Sequence, residues 1–276
     1  MKNINREKIV KFLTSSINNY RLEKSNKITK INIQMVKTNL IEKLQDLSYE
    51  DLEKPMYYKK DETQMDGYIK YMEQMKISNP EVYNFYEELK EKVVFTNLQY
   101  FLRNSVSLKI EKNLKTNSKY AGFYLNLDNK IIICLDTKGV LYHELLHVAS
   151  AVREGQDIDG FHYNTREIGN FGVGLNEGYT EILNNRFFNN NNKAYIYHQK
   201  LALLIEKFYD NKDNMVEDYF NGNIFNVIRV LLKSMSLEDA IDIIVDMDNL
   251  DYKSEKRLID YYKIKRKIKK IYKKSR

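Results

Sequence analysis

A chain of 276 residues with 43% hydrophobic and 30% charged residues can bury a sizeable core, which excludes an intrinsically disordered polymer. No run approaches the roughly 18 apolar residues of a membrane span, and a single cysteine, Cys134, excludes an internal disulfide. The net charge of +7 is local: residues 253–276 hold 12 Lys and Arg against Glu255 and Asp260, so the other 252 residues sum to −3.

The chain begins MKNINREKIVKFLTSS, which is charged and has no apolar h-region. No classical signal peptide is expected, and the cytoplasm is the expected compartment; export without such a signal would leave no mark here. Residues 1–115 read as a helical N-terminal region. Apolar residues recur at helical spacing at Ile9, Phe12, Leu13 and Ile17, and again at Val82, Tyr86, Leu89 and Val93. Before the second set, Ser78 or Asn79 can cap a helix, with Pro80 in its first turn and Glu81 beside it.

The pattern changes near Tyr120. YAGFYLNLDNKIIICLD is aromatic and β-branched, and it predicts strands at about 120–126 and 130–135 around an Asp128-Asn129 turn. Asp136 or Thr137 can then cap a helix over roughly 139–153. Residues 154–173 lose periodicity. Seven of the ten glycines lie between Gly139 and Gly178, so this stretch reads as a loop that turns often, a cleft wall or a lid. A second helix is expected from about Gly174 to Phe188, followed by the polar loop NNNN at 189–192. Helices follow at about 193–210, 214–234 and 236–247, with a basic one at 252–273. The class is α+β, mostly helical, with a small β-hairpin or sheet before the 139–153 helix. The organisation is an N-terminal helical region to 115, a core over 116–210 and a C-terminal helical region over 211–276.

The chemistry lies on the two central helices. In YHELLHVAS, His143 and His147 are four apart and share a helix face, with Glu144 beside them and Leu141, Leu145, Val148 and Val152 on the other side. Two imidazoles at that spacing can reach one zinc ion while the glutamate faces its water; otherwise they are two polar residues on an exposed face. In GLNEGYTE, Glu177 and Glu181 also share a face, together with Asn184. Either acid could complete a two-His, one-carboxylate site, and either could be a solvated helix charge.

HELLH followed by NEGYTE resembles the zinc-binding signature of the gluzincin metalloproteases, the thermolysin-like clan, over about residues 120–190. The resemblance implies a zincin-like core, one Zn2+ per chain and a peptide or protein substrate. It makes His143, His147 and Glu177 the zinc ligands, with Glu181 as the alternative third ligand. It makes Glu144 the general base, and Glu181 the acid that orients a ligand histidine. The clan binds extended peptide along a strand edge before the HExxH helix, and the 120–135 hairpin stands in that place. No motif marks the clan's transition-state donor; His162, Tyr163 and His198 are candidates, together with Tyr195 and Tyr197. Cys134 lies in IIICLD, unlike the Glu-Gly-Cys setting of peptide deformylases, and is expected to be a small buried residue. The expected function is zinc-dependent peptide hydrolysis. The competing one is a zincin-like scaffold that holds zinc without turnover and acts through its flanks and tail. A translocated effector or toxin protease would share the chemistry.

The tail, YKSEKRLIDYYKIKRKIKKIYKKSR, repeats Leu258, Tyr261, Ile264 and Ile268 at helical spacing among lysines and arginines. It reads as a packed terminal helix with a solvated basic face, or as a contact for nucleic acid or an anionic membrane.

Overall fold

A computed structural model describes residues 65–93, 98–114, 121–151, 157–165, 169–250 and 257–274. The apolar pattern at 9–17 lies outside them. The described residues are mostly helical, with two sheets of three strands each.

The first helices among the described residues are α1 (Met65–Ser78), α2 (Pro80–Lys90) and α3 (Leu98–Ser105). Pro80 opens α2 from the cap position Asn79. The Asn79 side chain makes no cap bond; its amide reaches the carbonyls of Ser105 and Leu108, tying α2 to the end of α3. The first sheet holds β1 (Lys109–Lys112), β2 (Gly122–Leu125) and β3 (Lys130–Ile133) in the order β1-β3-β2. The expected hairpin is β2–β3, antiparallel with Gly122 opposite Ile133. Its loop is a 3₁₀ turn, Asn126–Asp128, closed by Asn129 at φ 46, a left-handed position that Asn tolerates. Strand β1 runs parallel to β3, so β2 is an edge strand.

Helix α4 (Lys138–Ser150) is capped by Thr137, whose hydroxyl accepts from the Val140 N–H at 3.3 Å. The apolar-against-polar division expected for this helix does not become a division between core and solvent: His143, Glu144 and His147 are buried, as Leu145 and Val148 are. The reason is position. The helix lies at the centre of the molecule, packed by β2 and β3, by α3 and by the next helix, so each face meets protein. It stops at Ser150, short of 153, because Ala151 pairs as a β-bridge with Asp159.

Where an irregular loop is expected, the chain forms a second antiparallel sheet of β4 (Asp157–Asp159), β5 (His162–Thr165) and β6 (Gly169–Phe171). Strands of three and four residues are too short for alternation to show in the sequence. Helix α5 (Val173–Phe188) follows, then α6 (Ile196–Glu206), α7 (Lys212–Phe220), α8 (Ile224–Leu232), α9 (Leu237–Asp248) and α10 (Arg257–Lys274). The single helix expected over 214–234 is two, because Gly222 turns left-handed at φ 58 and the Asn223 side chain caps α8. None of the described helices is long and apolar enough to cross a membrane.

Helix α5 has no capping side chain of its own, since Gly172 stands at its cap with φ 86. Asp248, at the end of α9, supplies one from 74 and 76 residues away, accepting from the Gly174 N–H at 2.7 Å and the Gly172 N–H at 2.8 Å. Gly174 lets the two helices meet: a Cβ there would lie 2.5 Å from the Met247 carbonyl oxygen. Asp248→Ala should therefore cost about 1–2 kcal/mol, the loss of a buried side-chain helix cap, read as a lower denaturant midpoint. A midpoint unchanged within error would mean that water caps α5 equally well.

Candidate metal centre

Helices α4 and α5 bring three ligand atoms together. His143 Nε2 lies 3.1 Å from Glu177 Oε2 and 3.2 Å from His147 Nε2, and His147 Nε2 lies 3.8 Å from the same oxygen. Ligands at about 2.0–2.1 Å from a tetrahedral metal stand roughly 3.3–3.4 Å apart, and the observed triangle brackets that spacing. His143, His147 and Glu177 can hold a metal ion.

The opposite ring atoms show which way the imidazoles are poised. His143 Nδ1 lies 2.6 Å from Glu181 Oε2, and Glu181 is fully buried. The other Glu181 oxygen accepts from the Asn184 amide, which also reaches the Gly139 carbonyl on α4. His147 Nδ1 faces Asp159 Oδ1 at 3.5 Å and the Asn176 amide nitrogen at 3.2 Å. Asn176 is itself fixed: its oxygen accepts from the Phe161 N–H at 2.9 Å and its nitrogen donates to Asp159 at 2.6 Å. The β4–β5 turn makes these bonds possible through Gly160 at φ 50, where a Cβ would fall 2.3 Å from the Asn176 oxygen. A carboxylate on each Nδ1 keeps the proton there and leaves each Nε2 lone pair for a metal.

The electrostatics favour a cation. Four carboxyl groups, on Glu144, Asp159, Glu177 and Glu181, surround two imidazoles in a buried site. Burial alone would lower the pKa of His143, but hydrogen bonds to Glu177 and Glu181 and the charge of Glu144 raise it to about 9. Burial likewise opposes charge on His147, and Glu177 outweighs it. Burial would raise Glu177 and Asp159; the histidine partners hold both well below the usual carboxylate range. Glu144 goes the other way, pushed up to about 7 by burial against the opposing charges of His143 and His147.

The remaining residues singled out in the sequence lie in different settings. His162 on β5 sits 3.8 Å from Asp159 and bonds Asn170. The Tyr163 hydroxyl donates to the Gly222 carbonyl, with its ring against Phe225. His198 is buried with Nε2 3.1 Å from the Met247 carbonyl. Tyr197 packs on Tyr261 of α10. Tyr195 is the one in the centre: its ring stacks on His143 at 5.9 Å and 18°, and the charge of Glu177 acts on its hydroxyl. Cys134 follows β3, is half-buried where a buried residue was expected, and is not part of the cluster. Asp159 had no signal in the sequence. It lies in the segment without periodicity and joins the site only through the second sheet. Asp157, Asp159 and His162 also converge, but Asp159 is already engaged by His147 and Asn176.

Compared with known proteins, the chain matches no family model, no curated protein and no solved structure.

Proposed function

We propose that this protein is a zinc-dependent peptidase of gluzincin type. The observation that carries the reading is Glu144. It follows a ligand residue, is only 5% exposed, and its carboxyl makes no hydrogen bond among the described residues. Its oxygens are not sealed from solvent, so a carboxyl beside two candidate ligands with no protein partner is left for water, as in sites that move protons. Burial raises its pKa to about 7 in the metal-free centre, and a bound cation would lower it, leaving the carboxylate free to accept a proton at neutral pH. It lies against the first residue of the edge strand β2, where a Cβ on Gly122 would approach its Oε1 to 3.1 Å, so the missing side chain leaves it room.

When bound, zinc acidifies a water molecule and polarises a carbonyl group. The chain's own residues divide the rest. Glu144 takes the proton of the attacking water and delivers it to the leaving amine. The outer edge of β2, which pairs with no strand among the described residues, receives an extended peptide by strand addition. Tyr195 donates to the oxyanion. Its backbone is left-handed at φ 52, costly for a bulky residue and typical of side chains held at functional sites. The charge of Glu177, with burial, raises the Tyr195 pKa, so the hydroxyl keeps its proton.

A mixed peptide library incubated with the protein should yield new N-termini. A chelator should stop this and added zinc restore it. Tyr195→Phe should lower kcat by about 10²-fold with a smaller effect on KM, as for loss of one oxyanion donor. If zinc-loaded protein cleaves nothing in the library, the peptidase reading fails and a metal-holding scaffold stands.

A further inference from the structure

The metal centre makes no use of α10. The helix buries Tyr261, Ile264 and Ile268 and packs on α6 and α9. At about 3.6 residues per turn, the exposed residues fan over roughly 160° of the opposite side. That outer arc contains no carboxylate. Asp260 lies on its flank, paired with Lys263 at 3.2 Å, and Lys267 turns away to Asp239 and Asp242. Arg266, Lys269, Lys270 and Lys273 are left along successive turns, with Lys274 at the edge of the arc, and none of them has an ion pair among the described residues. At the start of the same arc stand Leu258, Ile259 and Tyr262, 48%, 58% and 56% exposed. Three neighbouring large apolar side chains in water mark a contact surface better than a merely solvated one.

We propose that this face of α10 docks on an anionic phospholipid surface. The four cations take the lipid phosphates, and the apolar trio enters the boundary between headgroups and acyl chains. Nucleic acid offers the same phosphates but no apolar layer. Leu258 and Ile259 can neither hydrogen-bond a phosphate nor stack as an aromatic ring does on a base. The helix itself stays on the protein, since its inner face is already buried, so the contact is peripheral and reversible.

Sedimentation of the full chain with vesicles of phosphatidylcholine alone, or mixed with phosphatidylserine, tests this, with duplex DNA as competitor. Binding is expected only to the anionic vesicles and should weaken as salt is added. Neutralising all four cations (R266Q, K269Q, K270Q, K273Q) should lower partitioning several-hundredfold, at about fivefold per charge near the surface. The pair I259S and Y262S should lower vesicle binding about tenfold or more while leaving residual DNA binding unchanged. All of these side chains are exposed, so circular dichroism should be retained. If the fourfold variant unfolds, the salt and lipid dependence of the unmodified chain and the apolar pair still decide. No binding to anionic vesicles at low salt would overturn the proposal. So would equal binding by the apolar pair and the unmodified chain, or displacement of the protein from vesicles by DNA.

Discussion

His143→Ala, His147→Ala and Glu177→Ala should each reduce bound metal from about one ion per chain to a small fraction of that. The three contribute the only atoms of the triangle, at 3.1, 3.2 and 3.8 Å. Two ligands alone leave a site that water competes for. Glu181→Ala should act more weakly, lowering affinity about 10–100-fold, because Glu181 orients His143 through Nδ1 at 2.6 Å and does not face the ion. Elemental analysis of the purified variants separates the two roles. Full metal in the Glu177 variant together with loss in the Glu181 variant would exchange them.

The same centre should show a steep pH dependence. Without metal, His143 keeps its proton up to about 9, and His147 is raised as well. Both Nε2 atoms must be free of protons to bind, so binding below that pH releases them. Apparent affinity should fall as pH falls, by about tenfold per pH unit for each proton released. Titration calorimetry in two buffers of different ionisation enthalpy counts those protons, and a count of zero would mean that the histidines are not ligands. Stability of the metal-free chain runs oppositely with respect to His143. Its pKa is raised above the ordinary 6.5, so its contribution is fully present below 6.5 and is lost as pH rises through about 9.

The part of the centre that could be read from the sequence is the part written at short range. Four-residue spacing puts His143 with His147 and Glu177 with Glu181, whatever surrounds the helices. The Thr137 cap and the β2–β3 hairpin are equally local. What escaped reading depends on residues far apart in the chain. Asp159 meets His147 through a sheet whose strands are too short to carry a period. Asp248 caps a helix 74 residues upstream of itself. Tyr195 is among the five candidate donors named from the sequence, but nothing local selects it from the others; its place beside His143 follows from the turn before α6, where the backbone becomes left-handed. Spacing alone gives the two faces of α4 but leaves open whether the polar one meets solvent or a metal site, because that depends on the helix lying at the centre of the molecule.

The peptidase reading depends most on Glu144. Glu144→Gln keeps the shape and removes the base, and Glu144 is outside the triangle, so metal content and fold should survive. Cleavage should fall by at least the roughly 10²–10⁴-fold expected when a general base is lost. In the metal-free centre the carboxyl is held at about 7 by burial, and the charges of His143 and His147 oppose that rise. The pH profile should therefore carry an acid limb belonging to this residue. Cleavage should rise with pH as Glu144 loses its proton, and the limb should vanish in the glutamine variant. Removing a positive neighbour would push the carboxyl higher, and an ion bound between the histidines would pull it lower. The limb of the metal-loaded protein should therefore lie below 7. A glutamine variant that holds its metal and cleaves as fast as the unmodified chain would remove Glu144 from the mechanism. Its place beside the two candidate ligand histidines would then need another explanation.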